Sequence, residues 1–401
     1  MSGGRSVLVL GAGLAGCCVA LRLAQLEHRV TLVDRNPRPV SGASRHNEGK
    51  LHLGYIYAAD PAHKTHQTVM AGSLSFLEAI ERLTRVPREA IPRSHGFVYV
   101  VHADSLLSVD NIRRHFEEVD TLLAEHTGRA LDAAWDLPDE FVRSTYADST
   151  LAAIHTSEIA VDSNHVASVV GAAVLAEPRI DFVGNHEVTG AEVVGDGHRI
   201  VVRSPEGEVR FEAAAVANCL WENRVHIDSL IGRVSDRPWV WRWKAVLSFD
   251  TPAHLSVPPT TVVLDPFGDY VPYTSGRSYL SWYRSCLVGF TPDGGADPLR
   301  VAIDGRDDQA IRRDAIAGLA SVIPALADQQ DLLRTARVGG GYIMALGSTD
   351  IDDPVSGLHE RHEVGPSMDG AWLSLETGKF CTAPMFGVRA AEMIHERLAR
   401  S

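Results

Sequence analysis

The chain has 401 residues, 45% of them hydrophobic and 22% charged, and a formal net charge of −13 at pH 7. This is a globular composition, and its acidic balance excludes a surface built for nucleic-acid phosphates or an anionic membrane, both of which need a basic face. The longest apolar runs fall short of the roughly 20 residues that span a bilayer, and the length calls for two lobes.

The five cysteines, Cys17, Cys18, Cys219, Cys286 and Cys381, are odd in number and show no CxxC spacing. They read as reduced thiols packed as small apolar groups, and a reducing, cytoplasmic compartment is the expectation. The apolar core SVLVL near the N-terminus runs directly into a glycine motif and is too short for a signal peptide.

SVLVL (6–10) predicts a buried strand. GAGLAG follows, with Gly11, Gly13 and Gly16 around Leu14 and Ala15, and CCVALRLAQLEH then predicts a helix. RVTLV predicts a second strand that ends at Asp34. Strand, glycine turn, helix, strand and acid in this register form a dinucleotide fingerprint. Gly11 serves the tight turn, Gly13 lets the backbone approach a pyrophosphate, and Gly16 lets the helix pack on the strand. The helix N-terminus offers N–H groups to the phosphates, and Asp34 is placed for a ribose diol. Asp34 disfavours NADP, although Arg35 beside it weakens that argument.

A simple NAD enzyme continues at once with further βαβ units. Here the second strand opens into the proline-broken RNPRPVSGAS and then SGASRHNEGKLHLGY (41–55), which has neither helical nor strand period. A helix is expected within 61–84, a strand at GFVYVV and an amphipathic helix at SVDNIRRHFEEVDTLLAEH. HEVTGAEVVGDGHRIVVRSPEGEVRFEAAAVANCLW predicts strands turning at GDG and PEG, the last ending at Asn218. WVWRWK (239–244) reads as core or interface. GDYVPYTSGRSYLSWYRSCLVGF predicts two strands around a Ser-Gly turn, with Tyr270 and Tyr273 near Tyr283. Strand alternation through SYLSWYR puts Tyr283 and Arg284 on opposite faces, so only one of them faces a cavity, and Tyr283 is preferred. Gly339–Gly341 precede a strand, YIMAL, and so are not a second fingerprint. STDIDD (348–353) is an acidic turn, either solvated or a polar ligand site. DGAWLSLETGKFCTAPMFGVRAAEMIHERLA ends the chain as strand, glycine turn at Gly378 and helix.

The fold class read from this order is α/β with an α+β substrate lobe: a Rossmann-like nucleotide domain interrupted by a mixed-sheet domain. The nucleotide domain takes 1–90, 156–232 and 336–401, and the substrate domain takes 91–155 and 233–335. Such an interruption belongs to flavoproteins more than to NAD dehydrogenases.

GAGLAG with VDR, ASRHNEGKLHLGYIYA, AVANCLWENR and LETGKF together resemble the D-amino-acid oxidase-like FAD-dependent oxidoreductases. HNEGKLHLGYIY is similar in form to the HNSG-x-x-HAG-x-Y-Y pattern of the L-2-hydroxyglutarate oxidase branch, and glycine oxidase is the other near branch. The resemblance implies FAD and hydride transfer from a C–H bond beside nitrogen or oxygen to flavin N5. Residues 230–335 carry no matching motif.

The resemblance also implies that 41–55 crosses the flavin. Ser44 and Arg45 then lie near the pyrophosphate and ribityl chain, Gly49 lets the backbone pass the ring, and His46, Lys50 and His52 face the ring or the substrate. Glu48 departs from the small residue expected there, and pairs with Lys50, Arg45 or a cationic substrate group. Val188 brackets the adenine, Asn218 passes the pyrophosphate, and Gly378, Lys379 and Phe380 meet the flavin edge. Cys381 is a weak candidate for a covalent tether. The expected partners are a small-molecule substrate and oxygen or another electron acceptor, with no metal. The alternatives are a redox-neutral flavoenzyme such as a sugar mutase, a non-catalytic flavin-binding protein and a plain NAD enzyme.

Overall fold

The fingerprint region folds as strand Ser6–Leu10, helix Leu14–Gln25 and strand Arg29–Val33, the two strands parallel. This is a computed structural model, and it describes residues 6–60, 64–128, 133–292, 295–327, 329–350, 353, 356 and 362–400. The expected helix within 61–84 begins at Thr65 and ends at Thr84, its first positions lying outside the described residues. Val7, Val9, Leu23 and Leu32 are fully buried here. Burial of a side chain of this size contributes about 1.5–3 kcal/mol, which explains why a short apolar run forms a central strand.

A six-stranded sheet runs in the order Gly365–Asp369, Trp372–Glu376, Ala215–Asn218, Ser6–Leu10, Arg29–Val33, Ile180–Val183. All its pairs are parallel except the first. Its strands come from three separated parts of the chain. The helix Ala383–Ala399 covers one face by packing on Leu14–Gln25. An antiparallel three-stranded sheet, Glu187–Val194, Gly197–Ser204 and Gly207–Ala213, stands beside it, turning where GDG and PEG require.

The second lobe is a mixed nine-stranded sheet. Its centre is the long strand Trp239–Asp250, which pairs with Leu287–Pro292, Arg277–Trp282 and Arg337–Leu346. Beyond Arg277–Trp282 come Gly268–Pro272, Thr260–Val263, Val98–His102, Thr150–His155 and Trp135–Asp136. Helix Val109–Thr127 covers part of it. Ser108 caps that helix by accepting from Asn111 N, and Ile112, Phe116, Val119 and Leu123 form its buried stripe. The fold is α/β with a mixed-sheet lobe interrupting the nucleotide-binding sheet. Among the described residues, no helix is long and apolar enough to cross a membrane.

One expectation fails here. The strand through SYLSWYR stops at Trp282, and Tyr283–Cys286 make a helical turn. Alternation therefore does not govern Tyr283 and Arg284.

The glycine run Gly339–Gly341 has a packing reason. In the ladder, Gly341 faces Lys244 and Gly339 faces Val246, so these residues share one face of the sheet. The loop 43–46 lies on that face. A Cβ at Gly341 would stand 2.6 Å from Ala43 Cα, and one at Gly339 would stand 2.5 Å from His46 Nδ1. Gly341→Ala is expected to destabilise the protein by about 1–3 kcal/mol, the usual cost of overpacking. A chemical denaturation midpoint equal to that of the wild type would contradict this close packing.

Candidate active site

Three parallel strands end side by side, at Leu10, Val33 and Asn218, and the residues that follow them, Gly11, Asp34 and Cys219, line one cavity of about 470 Å³. Ligands of open α/β sheets bind at this carboxyl edge. The cavity continues to the nine-stranded sheet, where Arg242, Thr261, Asp269 and Tyr283 line it.

The first end suits a dinucleotide. Gly11 has φ +91°, and a Cβ there would stand 2.6 Å from Cys219 O, so only glycine fits the turn. Gly13 caps the helix with extended backbone and no side-chain acceptor. A Cβ at Gly13 would meet only Ser44 Oγ, at 3.5 Å, which leaves room for a phosphate against the helix N-terminus. Gly16 is the contact between helix and turn, since a Cβ there would collide with Gly11 O. Asp34 Oδ2 accepts from Ala12 N at 2.6 Å, and its Oδ1 accepts from Asn36 N at 2.8 Å. Ser44 Oγ accepts from Leu14 N at 3.1 Å, tying the loop to the fingerprint. Arg35 pairs with Glu222. The absence of a Cβ at Gly11, the side-chain-free Gly13 at the helix N-terminus and the fixed carboxylate together fit the ADP half of FAD. Ala15 and Val188 also line this part of the cavity.

The other end is lined by His46, Glu48, Lys50 and His52, together with Gly378, Lys379 and Phe380. Lys50 is 3% exposed. Its Nζ sits 2.9 Å from Asp269 Oδ1 and also donates to Thr261. Burial alone would raise the Asp269 carboxyl, but Lys50 overrides it and holds it below the usual range. Glu48 behaves alike: burial opposes its charge, yet His52, then Lys379 and Lys50, hold it far below an ordinary carboxylate.

His52 lies between two acids. Its Nε2 is 3.7 Å from Glu48 Oε1 and its Nδ1 is 3.7 Å from Glu158 Oε1. Nδ1 is buried without a hydrogen-bond partner. Glu158 is wholly buried and fixed by Leu53 N at 2.6 Å and by the Tyr99 hydroxyl. Burial lowers the His52 pKa more than Glu48 and Glu158 raise it, so the ring is neutral at pH 7. His46 is lowered as well, by burial and then by Arg45.

Several sequence-predicted residues lie elsewhere. Arg284 points outward and pairs with Asp265 at 3.0 Å, because the helical turn after Trp282 swings it away. Gly49 does not line the cavity. Its φ is +65°, and a Cβ there would collide with Val161 O, so it serves the pairing of Lys50–Leu51 with Ile159–Ala160. Arg45 donates to Val40 O at 3.0 Å and braces its own loop. Asn218 sits behind the wall, with its Nδ2 on Asp228 Oδ1 at 2.8 Å. Tyr270 is core, and the Tyr273 hydroxyl donates to Glu48 O at 2.7 Å. Cys381 is fully buried, and burial pushes its thiol up to about 11, against a tether.

Sequence reasoning missed the strand Trp239–Asp250. WVWRWK is not simply core, because Arg242 and Lys244 line the cavity. Arg242 Nη1 donates to the Tyr283 hydroxyl at 2.7 Å, and that hydroxyl donates to Asp350 Oδ1 at 2.7 Å. Asp350 belongs to STDIDD, whose 351–352 lie outside the described residues. The available signal was two cations at alternating positions in an otherwise apolar strand, since isolated charges are expelled from a core.

A family model described as DAO, FAD dependent oxidoreductase, matches residues 6–393. Among solved structures, the glycine oxidase of Geobacillus kaustophilus superposes with a TM-score of 0.67 at 16% identity, covering 98% of this chain and 95% of that one. The iminodiacetate oxidase IdaA of Chelativorans sp. BNC1 superposes with a TM-score of 0.67 at 15% identity, covering 97% and 95%. At such identities the likeness is one of fold. Among curated proteins, the bifunctional tRNA 5-methylaminomethyl-2-thiouridine biosynthesis protein MnmC of Ralstonia nicotianae (strain ATCC BAA-1114 / GMI1000) is 52% identical over 48 residues. That match spans 12% of this chain and only 7% of that protein.

Proposed function

The chain belongs to the DAO family of FAD-dependent oxidoreductases, and from that premise we propose that it oxidises a CH–NH or CH–OH bond of a small polar metabolite. Bound FAD supplies the acceptor for the hydride leaving carbon. The remaining roles fall to this chain's own side chains.

The observation that carries the reading is His52: a neutral imidazole on the cavity wall, buried between Glu48 and Glu158. A neutral imidazole there takes the proton from a substrate hydroxyl or ammonium as the C–H bond breaks. Glu48, held ionised, attracts a cationic amine. Lys50, fixed by Asp269 and Thr261, keeps a positive charge beside the reacting region. Burial raises the Tyr283 pKa, so its hydroxyl stays protonated and braces Arg242 against the cavity. Gly378, Lys379 and Phe380 line the same end of the cavity. The fold neighbours are named for glycine and iminodiacetate, both amines bearing carboxylates. These names support amines and amino acids ahead of sugars.

The test is an absorbance spectrum of the purified protein, followed by anaerobic addition of amines, amino acids, 2-hydroxy acids and sugars. Bleaching of the flavin bands by an amine, amino acid or hydroxy acid is the expected result. Readmitting air then shows whether oxygen takes the electrons. A yellow protein that none of these classes bleaches would overturn the reading.

A further inference from the structure

Arg35 follows the acid placed for the ribose, and its surroundings come from both lobes. From the nucleotide-binding lobe, Glu222 pairs with its guanidinium. From the nine-stranded sheet, the ring of Tyr342 lies beneath it, with Arg35 Cζ 6.0 Å from the ring centre. All three residues line the cavity.

Tyr342 belongs to the strand Arg337–Leu346, which among the described residues pairs with Trp239–Asp250 alone. The other edge of that strand turns to the nucleotide-binding lobe, where Tyr342 O accepts from Trp221 Nε1 at 2.8 Å. Trp241 Nε1 donates to Glu222 O at 2.8 Å, and Arg300 pairs at 3.0 Å with Glu187, another residue of the cavity wall. The second lobe therefore meets the first around Arg35. Tyr342 follows three glycines, so it carries the one side chain of 339–342.

Arg35 needs this second support. Its side chain is 42% exposed, and an arginine so placed keeps much of its rotamer freedom unless its plane is held. Glu222 holds the guanidinium by charge. An aromatic face holds its plane, because a guanidinium stacks on a ring as a lysine ammonium does not.

We infer that Tyr342 is a positioning residue for the cofactor: by holding Arg35 at the adenosine end of the FAD site, it makes retention of that half depend on the nine-stranded sheet as well as on the glycine fingerprint. Tyr342 also packs against the core of the second lobe. Tyr342→Leu keeps that apolar contact and removes the ring, whereas Tyr342→Phe keeps the ring and removes the hydroxyl.

The test reads FAD release from the full-length, FAD-loaded protein as the rise in flavin fluorescence on dilution. It then reads rebinding of ADP, and separately of riboflavin, to the same chain stripped of FAD. Tyr342→Leu is expected to release FAD about 3- to 30-fold faster and to weaken ADP by a similar factor, the range of an arginine–aromatic contact. Riboflavin affinity and the flavin absorption bands are expected to stay at wild-type values, since other residues line the substrate end of the cavity. Tyr342→Phe is expected to retain FAD as the wild type does. With Arg35→Gln already present, Tyr342→Leu is expected to add less than twofold, because the two side chains act as one unit. FAD release and ADP affinity within twofold of wild type in Tyr342→Leu overturn the assignment. Equal weakening of ADP and riboflavin overturns it as well, since that marks a general loss of structure, and so does an undiminished Tyr342→Leu effect in the Arg35→Gln background. No substrate enters these measurements, so their failure leaves the oxidation reading standing, and failure of that reading leaves the role of Tyr342 decided.

Discussion

Replacing His52 by Asn is expected to lower kcat/KM of the flavin-loaded protein by about 10²- to 10⁴-fold, the range that general-base catalysis supplies. Flavin content should stay near that of the wild type, because His52 lies among the residues of the substrate end, away from the fingerprint. The pH profile separates this role from a structural one. The ring is effective only when neutral, and burial holds its pKa below the ordinary value of about 6.5. Wild-type kcat/KM should therefore hold level down through pH 6.5 and fall only in more acid solution. Glu158 raises the His52 pKa through its charge, so Glu158→Gln should move that acid limb to still lower pH. A His52→Asn enzyme with wild-type kcat/KM would remove the histidine from the mechanism.

The same shift has a consequence for stability. The folded pKa of His52 lies below the unfolded one, as does that of His46. Between the two values the unfolded chain binds more protons, so stability falls as the pH drops below about 6.5 and is regained as it rises.

Arg224→Met is expected to destabilise the protein by about 3–5 kcal/mol, the usual cost of breaking a buried charge network from one side. Arg224 is 7% exposed. Its Nη2 lies 2.8 Å from Glu376 Oε2, and its Nη1 lies 3.4 Å from Asp228 Oδ2 and 3.1 Å from Ser374 Oγ. Asp228 Oδ1 also accepts from Asn218 Nδ2 and from Trp372 Nε1, both at 2.8 Å. Removing the cation leaves two buried carboxylates without it. The network also reaches the cavity, because Glu376 Oε1 accepts from Gly378 N at 2.8 Å. Weaker flavin retention should therefore accompany the loss of stability. Denaturant titration of the flavin-loaded protein measures the first effect, and flavin released on dilution measures the second. Combining Arg224→Met with Asp228→Asn and Glu376→Gln should recover much of the loss, since the stranded charges are then gone. A single-variant loss under 1 kcal/mol would mean that the network carries little of the stability.

The residues that were legible in the chain are those whose chemistry is local. GAGLAG could be read because a turn with φ +91° at Gly11 and a tight contact at Gly16 demand glycine whatever surrounds them. Asp34 could be read because it ends a strand that its own β-rich pattern predicts. The loop 41–55 stood out by lacking any period. His46, Glu48, Lys50 and His52 line the cavity, while Gly49 and Arg45 brace the loop. Nothing in the order of these residues distinguishes one part from the other, because a loop has no repeating geometry that assigns its side chains to a face.

By itself, then, the amino-acid sequence determined the nucleotide-binding fold, its interruption by a second lobe and the irregular segment that lines the cavity, because glycine stereochemistry and hydrophobic period act within a few residues. Only the tertiary structure decided the substrate end. Lys50 meets Asp269 across 219 positions, His52 meets Glu158 across 106, and Arg242 meets Asp350 across 108. These contacts arise where two sheets from distant parts of the chain close on one cavity. Charge pairing across such distances depends on which faces the sheets turn towards each other, and no local propensity encodes that.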